Sequence, residues 1–156
     1  ESKTRPMGRN ASGVRGVRLK DDNDEVVGML SVNDMDSDIL VVSENGYGKR
    51  SKLDDYRITN RGGKGVKTIS ITDKTGNLVS IKNVADGDDL MIINKSGIAI
   101  RMEVSSLRVM GRATQGVKLI NLKDSDSIAA VAKVVLDDEE VQDIDDIELI
   151  DDNQIN

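Results

Sequence analysis

The sequence predicts an all-β protein built from repeated four-stranded units of about 51 residues, and three recurrences carry that expectation. A basic loop of the form R-x-x-x-G-V-[RK] occurs at residues 9–15, 61–67 and 112–118, with its first arginine repeating after 52 and then 51 positions. Asp38-Ile-Leu-Val-Val leads to Gly46 and Arg50, and Asp89-Leu-Met-Ile-Ile leads to Gly97 and Arg101, again 51 apart. Apolar segments ending at Val32, Val84 and Val134, each following a turn with Asp or Gly, keep nearly the same period.

Within the first unit, residues 13–19, 25–32, 38–43 and 47–51 read as strands: each is short, rich in Val, Ile or Leu, and bounded by Asn, Asp or Gly. Helical periodicity lasts no more than about a turn, near residues 53–56 and 104–107. Four strands in about 50 residues is the spacing of a β-propeller blade. The unit count is about two and a half, so the chain opens inside a unit and is expected to be part of something larger. Residues 1–136 form this partial propeller and 137–156 an acidic tail.

Composition removes several function classes. The chain has no Cys and no His, which takes away thiolate zinc sites, disulfides, and the usual general base of nucleophilic catalysis. Tyr47 and Tyr56 are the only aromatic residues, too few for the stacking platforms of single-strand binders. The sequence shows neither a long apolar run nor a signal-peptide pattern, so a cytoplasmic location without membrane contact is expected.

The net charge of −6 conceals an asymmetry. Residues 137–152 hold ten acids and no cation, whereas residues 1–136 carry all 22 Lys and Arg against the other 18 acids, a balance of +4. The tail reads as a solvated acidic segment. Its Val141, Ile144, Ile147 and Ile150 fall every third residue, which leaves open a docked tail whose carboxylates lie near the basic loops as a built-in polyanion.

Recurrence singles out the candidate contacts. Arg9, Arg15, Arg61, Lys64, Lys67, Arg112 and Lys118 occupy the same loop in successive units, and blades set side by side would align them on one rim. Lys49, Arg50 and Arg101 form a second recurrent set. Either set could instead pair with local Asp and stabilise the blade. Other suggestive patterns fail on detail. Arg61-Gly-Gly-Lys-Gly65 precedes a strand and lacks the P-loop spacing, and Asp34, Asp36 and Asp38 begin like a calcium loop but continue with Ile39 and Asn45 where Gly and Glu belong. Both tyrosines are expected to serve packing or hydrogen bonding.

Residues 5–19, Ser43-Glu-Asn-Gly-Tyr-Gly-Lys-Arg50 and Gly111-Arg-Ala-Thr-Gln-Gly-Val-Lys-Leu119 resemble, in content and order, the C-terminal domain of the bacterial DNA gyrase A protein. The resemblance covers residues 1–136 and implies the second half, blades four to six, of a β-pinwheel. One motif departs from the family: Thr59-Asn-Arg-Gly-Gly-Lys-Gly65 matches only the last five positions of the signature Q-R-R-G-G-[KR]-G and lies in a later blade. The resemblance implies duplex DNA as partner, together with the rest of gyrase A and with gyrase B in a complex of two copies of each. It also implies no cofactor in this segment, since ATP and Mg²⁺ would act elsewhere in the holoenzyme, and no catalytic residue here. The related domain of topoisomerase IV and a protein-binding propeller are the alternatives.

Overall fold

The computed structural model describes residues 5–123 and 125–134, and the acidic segment with its apolar stripe lies outside them. The fold is all-β, as expected: the described residues form seven strands, β1 (Asp38–Ser43), β2 (Tyr47–Lys52), β3 (Leu78–Val84), β4 (Asp89–Asn94), β5 (Ala99–Glu103), β6 (Val117–Lys118) and β7 (Ile128–Val134), with one-turn 3-10 helices at Leu53–Asp55 and Val104–Ser106. Those turns fall where the sequence keeps a helical period. Among the described residues no helix is long and apolar enough to cross a membrane.

All pairings between these strands are antiparallel. They form two sheets, ordered β3-β1-β2-β6 and β5-β4-β7. The hairpins β1–β2 and β4–β5 each stay within one repeat, but every other neighbour comes from a different one. Asp38 stands opposite Lys52 and Val84, and one repeat later Asp89 stands opposite Glu103 and Val134. Both registers slip at the same place, between Val42 and Ser43 and between Ile93 and Asn94.

This sharing corrects the strand assignment made for one unit. Residues 25–32 hold the place in the repeat that β3 and β7 hold later, yet they form no strand. No described strand stands one period before β1 for them to pair with. The same holds for residues 13–19, where only Val17 bridges to Gly63. Of the three basic loops only the last ends in a strand, because β6 finds Tyr47 and Gly48 of β2 as partners. A strand requires a ladder to bond its peptide groups, and apolar content cannot replace one.

The core follows from alternation along β1. Leu40 and Val42 pack with Leu90 and Ile92 of β4, Val84, Val104, Leu107, Ile128 and Val131 between the two sheets. Ile39 and Val41 point the other way and meet Ile69, with Leu30, Tyr56 and Ile81 around them. All six residues of β1 are buried, which explains a continuous apolar run where a half-exposed strand would alternate. Truncating Leu40 to Ala is expected to cost about 2–5 kcal/mol of stability.

Two buried cations on β2 fasten the first repeat to the third. The Lys49 side chain, 1% exposed as a residue, donates to Gly111 O at 2.5 Å, to Arg112 O, and to Thr114 Oγ1 at 3.2 Å. Arg50 Nε donates to Leu107 O at 2.5 Å and its Nη1 to the Asp86 carboxylate, with Asp38 Oδ2 at 3.6 Å. Met110 N closes the contact onto Arg50 O at 2.9 Å.

Two tests follow from this packing. Gly65 and Gly116 hold the same repeat position with φ of 77° and 84°. A Cβ on Gly65 meets nothing within 4 Å, but on Gly116 it would lie 2.6 Å from Gly48 O. Gly65→Ala is therefore expected to cost about 1–2 kcal/mol from the left-handed backbone alone, and Gly116→Ala measurably more, in paired urea titrations. Burial pushes the Lys49 ammonium down from 10.5 to about 8. The folded state thus binds fewer protons than the unfolded state between those values, so stability relative to Lys49→Met should rise as pH is raised from 8 towards 10.5. Urea midpoints of both proteins across that window measure it, and a constant difference would contradict it.

Candidate nucleic-acid interface

The three basic loops are stacked, each seated on the one before. Gly62 N donates to Gly16 O at 2.8 Å and Arg18 N to Gly63 O at 2.9 Å, which ties the second loop to the end of the first. One repeat later Ser70, in the place of Arg18, donates from N to Thr114 O at 3.2 Å, in the place of Gly63. Ser70 Oγ adds a bond to Ala113 O at 3.3 Å, and Arg112 Nη1 reaches Lys67 O at 2.7 Å. Between the first two loops runs an open cleft of about 570 Å³ lined by Val14, Arg15, Thr59, Asn60 and Arg61.

This stacking brings Arg15, Arg61, Lys64, Lys67, Arg112 and Lys118 into one succession, with Arg9 at the head of the first loop. Arg9, Arg15, Arg61, Lys64, Lys67 and Lys118 are exposed, and Arg112 is half-buried where its loop sits on the second. Among the described residues none of the seven forms an ion pair with Asp or Glu, so the positive charge of the row is not neutralised locally.

The second recurrent set behaves differently, and its assignment as phosphate contacts is corrected for two members. Lys49 and Arg50 are buried and their donors are taken by carbonyls and carboxylates of the protein, out of reach of a duplex. The bond from Arg50 holds the Asp86 carboxyl below its ordinary pKa. Arg101 is exposed, but its Nε is held by Asp89 Oδ2 at 2.6 Å, repeating the pairing of Arg50 with Asp38 one unit earlier. A recurrent cation in a strand and a recurrent cation in a loop look alike in sequence; burial separates them.

Three arginines missed by the sequence reading share the loop spacing. Arg5, Arg57 and Arg108 stand four residues before Arg9, Arg61 and Arg112, and all three are exposed. Their 52- and 51-residue intervals were a sufficient signal. The remaining motifs have structural roles. Asp34 Oδ1 accepts from Asp36 N at 2.9 Å in a local turn, while Asp38 faces Arg50 and Lys52. Tyr56 Oη shares a 2.5 Å hydrogen bond with Thr68 Oγ1, and the Lys74 ammonium lies 5.4 Å from the Tyr47 ring centre.

Comparison with known proteins gives a consistent result. The family profile of the DNA gyrase C-terminal domain, a β-propeller, matches residues 5–33, 37–85 and 88–134, three segments that follow the repeat. The DNA gyrase A protein of Staphylococcus aureus strain MRSA252 is 50% identical over 146 residues, covering 92% of this chain and 16% of that protein. Its counterpart in strain NCTC 8325 is 49% identical over 142 residues, 90% of this chain and again 16% of the relative. The chain thus spans about a sixth of the length of these curated relatives. A solved DNA gyrase A C-terminal domain superposes with TM-score 0.73 at 31% identity over 84% of this chain and 44% of that one. A topoisomerase IV C-terminal domain shares the fold, with TM-score 0.74 at 20% identity over 87% and 42%. With the profile covering most of the residues and half of the aligned positions identical to a gyrase A protein, this chain belongs to the DNA gyrase A C-terminal domain family.

Proposed function

We propose that this chain binds duplex DNA along its phosphate backbone without reading sequence, and wraps it as part of a DNA gyrase A protein so that the holoenzyme introduces negative supercoils. The succession of cations without acidic partners on stacked loops carries this reading. Lys and Arg neutralise phosphates and release counterions, which supplies affinity that falls steeply with salt and is blind to base sequence. Each loop adds its charges one repeat further along, so a duplex following them is led over successive units. Smooth bending by 40–90° over a site of 20–30 base pairs costs about 1–6 kcal/mol, which contacts repeated on several units can offset.

The strand-passing chemistry, ATP and Mg²⁺ belong on this reading to other parts of the complex of two gyrase A and two gyrase B copies, in the cytoplasm. The identity of 49–50% to gyrase A relatives, and of 31% against 20% to the two solved domains, supports gyrase over topoisomerase IV.

The loop-end side chains Arg15, Lys67 and Lys118 hold equivalent places, so they give the cleanest test. Changing all three to Ala should reduce the slope of log affinity against log salt by about 0.9 per contact, equally for duplexes of unrelated sequence. Filter binding or fluorescence anisotropy from about 50 to 200 mM salt reads the slope. A slope equal to that of the unmodified protein would remove these loops from the DNA site.

A further inference from the structure

We propose that Arg5, Arg57 and Arg108 form a second line of phosphate contacts beside the loop row, so that each repeat grips the duplex with two arginines four residues apart. The inference rests on the reading of the loops as the DNA site and extends it to residues outside them. The pair R-x-x-x-R occurs at 5 and 9, 57 and 61, and 108 and 112, and both arginines repeat after 52 and 51 positions. Acids that could explain the leading arginine do not repeat with it: Asp54 and Asp55, near Arg57, are replaced by Ser105 and Ser106 near Arg108. None of the three leading arginines makes an ion pair or side-chain hydrogen bond among the described residues, and all three are exposed.

Local structure places Arg57 and Arg108 alike. Each follows a one-turn 3-10 helix closed by its capping residue, Tyr56 N to Leu53 O and Leu107 N to Val104 O, both at 2.9 Å. Around Arg108 the backbone is clamped by β2: the Arg50 guanidinium donates to Leu107 O, Met110 N donates to the Arg50 main-chain oxygen, and the Lys49 ammonium donates to Gly111 O and Arg112 O. These bonds use main-chain atoms, so they hold the segment still while leaving the Arg108 guanidinium to solvent. Four residues of extended chain span at most about 14 Å, over which one strand of a duplex presents about four phosphate charges, so both arginines of a pair are within reach of one stretch of backbone.

Residue type adds a second argument. The loop-end position accepts Arg15, Lys67 and Lys118, whereas all six positions of the paired lines are arginine. A planar guanidinium fork binds a phosphate through two parallel hydrogen bonds, which an ammonium cannot copy. The loop ends supply point charges and the paired lines supply oriented contacts.

The test replaces Arg5, Arg57 and Arg108 together in the full chain, once by Gln and once by Lys, and follows duplex affinity from low to moderate salt. The Gln protein should keep the unfolding midpoint of the unmodified chain and lose about 2.7 from the log-log salt slope, about 0.9 for each contact. The Lys protein should recover that slope. If the Gln protein keeps the original slope while the Arg15, Lys67 and Lys118 variant loses its share, the second line is overturned and the loop site stands. If the unmodified chain shows no salt-dependent duplex binding, both fall. A Lys protein that fails to recover the slope also overturns the proposal, because charge at these positions would then not be what the duplex meets.

Discussion

The pairing of β1 with β3 joins residues 38–43 to residues 78–84 of the following repeat, and the same exchange joins β4 to β7. A two-stranded hairpin is marginal in water, and each hairpin here becomes a sheet only by receiving a strand from outside its own unit. The apolar layer between the sheets depends on this, since Val84 and Val131 come from the donated strands. So does the stacking of the basic loops, because β6 attaches the third loop to the far edge of the first sheet. Cohesion along the chain and alignment of the charged row are two results of one hydrogen-bonding arrangement.

The period was readable because it is written in residue identity: an arginine, a glycine with positive φ and a cation recur together in all three loops. Strands β1 and β4 were equally legible from their unbroken apolar runs. Segments 13–19 and 25–32 have comparable composition and stay outside the ladders, since pairing is a property of two segments and no described strand offers them a ladder. Among the cations, Lys49 and Lys118 look interchangeable in sequence, yet one lies among carbonyls and the other in solvent. That distinction comes from a contact between residues more than 60 positions apart. Arg5, Arg57 and Arg108 recur with the same spacing but lie outside the R-x-x-x-G-V-[RK] pattern that marks the loops.

The division of labour among cations has an electrostatic logic. Arg50, Lys52, Arg101 and Lys133 each meet a carboxylate, and the Lys49 ammonium is hydrogen-bonded by carbonyl oxygens, so the cations of the strands are engaged by the protein itself. The loops keep their charge uncompensated. An exposed ion pair contributes little to stability, so leaving loop cations unpaired costs the fold little while preserving a positive potential at the surface. At the place of Lys49, the next repeat carries Ile100, so the buried ammonium clamp is a device of one repeat and not of all.

Strand donation also has a kinetic side. A chain synthesised from its N-terminus finishes β1 about forty residues before it finishes β3, an interval of about 2–8 s at 5–20 residues per second. During that time Ile39, Leu40, Val41 and Val42 form an open apolar edge, the kind of segment that recruits strands from other molecules. Charges placed beside such a segment act as gatekeepers against that recruitment. Asp34, Asp36 and Asp38 stand immediately before it and Glu44 immediately after. The acidic run that imitates half of a calcium loop thus occupies the position from which a nascent chain is kept soluble until its partner strand is made.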